Sequence, residues 1–185
     1  MAEQLSNTPK LATSLIQLLD KFASITGRVS AIAIAFMVII TVAVVILRYG
    51  FSMGSVAAQE SVTYLHAWLF MLAMSYGLKS DSHVRVDIFY RNFSKTSRNW
   101  VNAIGGLVFL LPMCAALVYY GWDYAERSWA IREVSVEAGG IPAVFLLKSL
   151  IPVAASLLLL QCLAEVLANT LELMGYAPER SAIER

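Results

Sequence analysis

Long apolar runs alternate with short polar stretches along this chain. Three runs carry no charged residue: 29–47 with 19 residues, 61–78 with 18, and 99–122 with 24. A fourth run, 141–164, is interrupted by a single lysine, Lys148. Because about 20 helical residues cross the hydrocarbon core of a bilayer, each run is long enough to span it. The pattern predicts an all-α membrane protein with four transmembrane helices.

Lys148 lies about a third of the way along the fourth run. We expect Pro142 to occupy the first helical turn, which places Lys148 about two turns into the helix. From there a lysine can extend toward the nearer headgroups, or it can pair with a carboxylate. We favour the first arrangement and keep the second as the alternative.

A different periodicity precedes the first run. Apolar residues recur there at helical intervals, which predicts an amphipathic helix along the membrane surface or against a partner. We therefore divide the chain into a tail and interfacial helix (1–27), a four-helix transmembrane domain (28–168) and a second tail (169–185). The apolar positions of the predicted interfacial helix are Leu11, Leu15, Leu18, Leu19, Phe22 and Ile25.

Composition and charge agree with a membrane protein. The chain is 58% hydrophobic and 15% charged, with a mean hydropathy of +0.65. Its net charge of +1 gives no basic surplus for nucleic acid. Lysines and arginines are concentrated in the two tails and the loop after residue 78, so the positive-inside rule predicts that both termini are cytoplasmic. The acids of the 123–137 loop, Glu133 among them, are expected to be solvated.

The stretch SDSHVRVDIFY, residues 80–90, is the most polar segment between two spans. His83 and Asp87 at i, i+4 would offer zinc only two of the three or four protein ligands it needs. His66 is the only histidine within a span, whereas a bis-haem protein needs facing pairs of histidines. We therefore predict no catalytic, cofactor or metal site, and we expect His66 to form a hydrogen bond with a neighbouring helix.

Small residues within the runs point to helix packing. Cys114 and Cys162 lie in apolar surroundings and are expected to behave as small hydrophobic side chains. Gly105 and Gly106 would let another helix approach closely. The second span carries more aromatic and sulfur bulk than four helices would bury among themselves, so part of it should meet another protein or lipid: Trp68, Phe70, Met71, Met74 and Tyr76.

Glu60 opens the second span. A carboxylate at this position can cap the helix N-terminus, or it can pair with Arg48 across the short loop between the first two spans. Near the membrane surfaces, Lys148, Trp100 and Arg98 are candidates for contacts with phospholipid or a partner.

Three segments carry a resemblance to a known family. They are LRYGF at 47–51, QESVTYLHAWLFMLAMSYGLKSDSHVRVDIF at 59–89 and IPAVFLLKSLIPVAASLLLLQ at 141–161. From about residue 25 to 168 the chain resembles the small membrane subunit, DctQ-like, of tripartite ATP-independent periplasmic (TRAP) transporters. Two positions depart from the family pattern: Gln59, where a second acid is frequent, and Ser82, where glycine is frequent. The residues that match the motif are Arg48, Glu60, Trp68, His83, Arg85 and Asp87.

The resemblance implies a multi-pass subunit of the bacterial inner membrane that is not an enzyme. It implies a large membrane subunit as partner, which holds sodium and substrate, and a periplasmic solute-binding protein that delivers an organic acid. The small subunit would then anchor and stabilise the large one, an elevator-type transporter, and would carry no cofactor of its own. Two alternatives remain: a self-contained four-helix membrane enzyme or redox protein, and a small homodimeric exporter.

Overall fold

The computed structural model describes residues 10–82, 90 and 92–176, and within them the chain is helical and has no strand. Four long helices are present in these residues: α1 (Lys10–Gly50), α2 (Val56–Lys79), α3 (Lys95–Ala130) and α4 (Val144–Leu173). The predicted all-α class is therefore confirmed for the described part of the chain.

α1 is continuous over 41 residues, which corresponds to about 61 Å. It has no break near residue 28, so the predicted interfacial helix and the first predicted span form one element. Its N-terminal part is packed, because Ile16 is fully buried against Ala168 and Leu171 of α4. A position along the membrane surface remains a prediction for this part of α1.

α2 begins after Ser55, whose hydroxyl accepts a hydrogen bond from the backbone N–H of Ala58 and so caps the helix. Among the described residues, α1, α3 and α4 are long and apolar enough to cross a membrane, and α2 is not among them. Three of the four predicted spans are thus supported by length and composition. That α2 crosses the membrane remains a prediction.

α3 consists of three parts. An α-helical part, Lys95–Gly105, is capped by Ser94, whose hydroxyl accepts from the backbone N–H of Ser97. A π-helical segment, Gly106–Leu110, follows, and a second α-helical part, Leu111–Ala130, completes the helix. The helix is therefore longer than the predicted 99–122 span at both ends.

α4 begins at Val144, so the prediction that Pro142 occupies the first helical turn is wrong. The preceding residues are held in the loop by other contacts: the N–H of Ile141 donates to Glu60, and the N–H of Val144 donates to the carbonyl of Glu133. Inside the helix, Pro152 is buried and lacks an N–H to donate to the preceding turn.

The helices form a row in the order α1, α2, α4, α3. α2 packs between α1 and α4, α3 packs on the other side of α4, and the N-terminal part of α1 also reaches α4. The most apolar segments of α1 and α3 are each only 11% buried, against 44% for that of α4. The row therefore has a thin interior centred on α4 and leaves its edge helices with broad apolar surfaces.

Candidate functional site

The motif residues predicted from the sequence are not gathered into one site. Arg48 is exposed at the end of α1, and Trp68, on α2, is 46% exposed. His83, Arg85 and Asp87 lie outside the described residues. The polar side chains that the structure does bring together form two groups, one at each end of the row.

The first group is at the end where the loop 131–143 joins α3 to α4, which we call the loop end. Glu60 of α2 accepts hydrogen bonds from the hydroxyl of Ser135 and, at 2.6 Å, from the backbone N–H of Ile141. These two hydrogen bonds hold the pKa of Glu60 below its ordinary value, against the opposing effect of desolvation. Glu60 thus fastens the loop to α2, whereas the sequence suggested a helix cap or a pair with Arg48.

Lys148 is the second anchor of the loop end. Its Nζ lies 2.6 Å from Oε2 of Glu133 and 4.2 Å from the ring centroid of Tyr124. The hydroxyl of Ser128 donates to the same carboxylate at 2.6 Å. The expectation that Lys148 extends to headgroups rather than pairing with a carboxylate is therefore wrong, because the loop carries Glu133 back over the start of α4.

These contacts also act on Glu133 itself. Hydrogen bonds from Lys148 and then from Ser128 are the main causes that lower the pKa of Glu133, with desolvation opposing them. The carboxylate therefore stays ionised at a lower pH than a free glutamate does. It is part of a hydrogen-bonded cluster and not the solvated loop acid that the sequence suggested.

Aromatic side chains close the loop end beside these anchors. The guanidinium of Arg132 lies 5.2 Å from the ring centroid of Trp129 and 5.5 Å from that of Phe145. The indole Nε1 of Trp129 donates to the hydroxyl of Ser149 at 2.8 Å. The loop end is thus joined to α2, α3 and α4 by side-chain contacts.

The second group lies at the opposite end, near the start of α1 and the end of α4, which we call the terminal end. Nε2 of Gln161 donates to Oδ1 of Asp20 at 2.9 Å, and both residues are at most 1% exposed. Nδ2 of Asn102 donates to Oδ1 of Asn169 at 3.4 Å. Asp20 is not among the apolar positions of the predicted interfacial helix, yet the structure buries it against α4.

Further polar contacts extend this group. Nδ2 of Asn99 donates to Oε2 of Glu172 at 3.0 Å, and Nζ of Lys79 donates to the hydroxyl of Ser24 at 2.5 Å. Thr26 and Ser75 share a hydrogen bond of 3.0 Å between their hydroxyls. All four helices are joined to a neighbour at the terminal end by side-chain hydrogen bonds.

Glycines allow the closest helix contacts. A Cβ added at Gly106 would lie 2.6 Å from Cγ2 of Val166, whereas one added at Gly105 would meet no atom within 4 Å. The sequence did not single out Gly27 and Gly121, where an added Cβ would lie 2.5 Å from the Tyr76 ring and 3.1 Å from Ile151. For Gly121 the available signal was a glycine within an apolar run, and for Gly27 it was a glycine at the boundary of one.

The remaining candidates have simple surroundings. Cys114 and Cys162 are fully buried and free, which agrees with their predicted packing role. His66 is exposed, and no hydrogen bond joins it to another helix in the described residues. Trp100 is 54% exposed near the start of α3. In the described ranges, no group of three or more histidine, cysteine or acidic residues is placed to hold a metal ion.

Comparison with known proteins gives the family. Residues 37–171 match the family described as tripartite ATP-independent periplasmic transporters, DctQ component. The chain belongs to the DctQ family. DctQ proteins are transporter subunits and not enzymes, and together with the three apolar helices this makes the chain a multi-pass protein of the bacterial inner membrane. The matched range omits the N-terminal part of α1.

One curated relative is the DctQ small permease protein of a C4-dicarboxylate TRAP transporter from Vibrio cholerae serotype O1. It is 26% identical over 119 residues, which cover 60% of this chain and 51% of the relative. The chain thus spans about half the length of that relative. No solved structure matches.

Proposed function

We propose that this chain is the small permease subunit of a TRAP transporter that imports an organic acid. Membership of the DctQ family supports the role. The relative from Vibrio cholerae, named for C4-dicarboxylates, supports a carboxylate as substrate. Its partners are a large membrane subunit, which holds the substrate and the coupling sodium, and a periplasmic solute-binding protein.

The arrangement of the helices in a single row is the observation that carries the scaffold role. A solute pathway needs a space enclosed among helices, with polar or ionisable groups along it. Within the described residues the helices form a row, and the cleft between α2, α3 and α4 that Asn102, Glu165 and Asn169 line is partly open to the surface. The row presents two broad apolar faces, on which exposed residues of α1, α2 and α3 are available to a partner or to lipid. They include Phe36, Ile39, Phe70, Val108 and Phe109.

The two anchored ends explain how the row keeps its shape. Glycine contacts and side-chain hydrogen bonds join α1 to α2 and α3 to α4, and Glu60 joins α2 to the loop before α4, so the row can serve as a fixed support for a subunit that moves. Phospholipid fills the parts of the apolar faces that the partner does not cover, and Trp100 and Arg98 lie near its headgroups.

Affinity purification tests this proposal directly. The full chain, tagged at its C-terminus, is isolated from its native membrane in mild detergent, and the proteins that accompany it are identified by mass spectrometry. We expect a large multi-span protein in near equimolar amount. Recovery of the chain alone, or only with copies of itself, would contradict the proposal.

A transport assay separates the scaffold role from the alternatives. Deletion of the chain should abolish uptake of the organic acid, and the chain alone in liposomes should transport nothing. Uptake or export by the chain alone would support an autonomous transporter. A bound chromophore or enzymatic turnover in the purified chain would support a self-contained enzyme.

A further inference from the structure

The four apolar runs end at charged residues, and these residues show where the membrane surfaces cross the row. One set closes the runs toward the loop end, and the other closes them toward the terminal end. If the helices stood upright, the members of each set would lie at one height along the helix axes. Toward the loop end they are Arg48, Glu60 and Asp123, with Lys148 inside the first part of the fourth run, and toward the terminal end they are Arg28, Lys79, Glu165 and Arg98.

The contacts between helices show which residues share a height. Asp20 of α1 is hydrogen-bonded to Gln161 of α4. Val29 lies nine residues after Asp20 on α1, about 13.5 Å closer to the loop end. Pro152 lies nine residues before Gln161 on α4, which is the same distance in the same direction because the two helices are antiparallel. Pro152 in turn faces Gly121 of α3, where an added Cβ would lie 3.4 Å from it. Val29, Pro152 and Gly121 therefore lie at nearly the same height.

At this shared height the apolar run of α1 begins and that of α3 ends. The two runs extend from there in opposite directions, and both expose large apolar side chains: Ile39 is 63% exposed and Phe109 is 74% exposed. An upright row would therefore place one of these two surfaces in water, although contiguous apolar surface of this size is rare on solvated protein.

The two inner helices occupy intermediate heights. Glu60, which opens the run of α2, is bonded to Ile141, just before α4 begins. Lys79, which closes it, is bonded to Ser24 of α1, four residues before Arg28. From α1 through α2 and α4 to α3, the boundary residues thus shift steadily toward the terminal end.

We infer that the row crosses the bilayer obliquely, with its helices tilted by about 45°. The centres of the α1 and α3 runs are offset by roughly 29 Å along the helix axes. The two helices are separated sideways by three interhelical spacings of about 9 Å each, and an offset equal to the sideways separation corresponds to a tilt of about 45°. This tilt exceeds the average of about 20° for transmembrane helices.

Helix length agrees with this tilt. At 45° a helix needs about 28 residues to cross a core of about 30 Å. α1, α3 and α4 have 41, 36 and 30 residues, while the charge-free runs of α1 and α3 alone cover about 20 and 25 Å at this tilt. Most of the boundary residues are lysines and arginines, whose long side chains reach from a tilted helix to the headgroups.

Cysteine labelling of the full chain in liposomes tests the inference without any partner. Ile46→Cys and Ile104→Cys, at exposed positions about 51 Å apart along the helix axes, are treated with a membrane-impermeant maleimide added to both sides of the bilayer. The chain without substitution gives the background, because Cys114 and Cys162 are buried. We expect neither variant to react above background, while Arg28→Cys and Asp123→Cys react from opposite sides. Labelling of either apolar position would overturn the inference, because an upright row leaves one of them in water.

Polarised infrared spectroscopy of the unmodified chain in oriented bilayers gives an independent measurement. Helices tilted by 45° give an order parameter of about 0.25, and helices tilted by 20° give about 0.8. A value above about 0.7 would overturn the inference. Neither measurement depends on the proposed transport role, so the two proposals can fail separately.

Discussion

The loop end and the terminal end hold the same helices together by different chemistry. At the loop end, two partly exposed carboxylates accept short hydrogen bonds, Glu60 from the loop and Glu133 from Lys148 and Ser128. At the terminal end, the most buried contacts are the Gln161–Asp20 pair and Gly106 against Val166, beside hydrogen bonds of Asn99, Asn102 and Lys79. The first arrangement depends on ionisation, and the second depends mainly on shape and on the satisfaction of buried groups. The two ends should therefore respond to different perturbations.

The largest effect is expected at the glycine contact of the terminal end. Gly106→Ala places a Cβ 2.6 Å from Cγ2 of Val166 and should lower the free energy of unfolding by about 2 kcal/mol, because α3 and α4 must move apart. Gly105→Ala is the matched control, since its Cβ meets no atom and alanine favours a helix. Both can be measured by SDS titration followed by circular dichroism. An equal loss of unfolding free energy in the two variants would show that Gly106 is not a closer helix contact than Gly105.

The buried pair should give the next largest effect. Gln161→Leu removes the hydrogen bond that Nε2 donates to Asp20 at 2.9 Å. The substitution should lower the free energy of unfolding by about 1.5 kcal/mol, because Asp20 stays buried after losing this donor. Leu160→Ala, on an exposed part of the same helix, serves as a control for general effects on α4. The same titration measures both. A Gln161→Leu variant as stable as the parent chain would show that this contact contributes nothing to the terminal end.

The ionic anchor at the loop end should show a dependence on pH. Glu133 has a pKa below its ordinary value of 4.5, so its contribution is complete above that pH and is lost as the pH falls through the lowered pKa. Amide hydrogen exchange in residues 131–143 should therefore accelerate on acidification below pH 4.5, after correction for the intrinsic rate. The terminal end should change less over this range.

Lys148→Met tests whether Glu133 causes the pH dependence of amide exchange in the loop. The variant should show faster exchange in the loop already at pH 7, and the part of the acid-induced change due to Glu133 should disappear, while the part due to Glu60 remains. Arg127→Met is the control, because it breaks the well-exposed pair with Asp123 and should leave the loop unchanged. If the parent chain and Lys148→Met had the same pH profile, Glu133 would not be the group responsible.

The smallest effect is expected at His66. The sequence suggested an interhelical hydrogen bond worth about 0.6 kcal/mol. Because the side chain is exposed and no hydrogen bond to another helix is described, His66→Ala should change the stability of the isolated chain by less than about 0.5 kcal/mol. SDS titration of the chain alone checks this. A larger loss would indicate a contact within the chain that the structure does not contain.

The sequence predicted the features that local patterns determine. The apolar runs located three membrane-competent helices, and the surroundings of Cys114 and Cys162 indicated their burial. The family motif led to the family that the comparison confirmed. Each of these depends on residues close together in the chain or on a recognisable motif.

Features that depend on distant residues were missed. The charge on Lys148 is neutralised by an acid 15 residues earlier, and whether a loop folds back over a helix is not visible in apolar periodicity. Asp20 meets Gln161 across 141 residues, so an amphipathic pattern could not reveal that its polar side faces another helix. The order of the helices in the row was equally inaccessible, because it depends on which glycines meet which neighbours.

The length of α1 has a mechanical consequence. A helix of 41 residues with no internal proline behaves as a stiff rod over distances comparable to its length. Ile16 in its N-terminal part packs against α4, and the helix also packs along α2. One uninterrupted hydrogen-bonded backbone therefore connects Lys10 to Gly50, about 60 Å away, and helps to hold the two ends of the row at a constant separation.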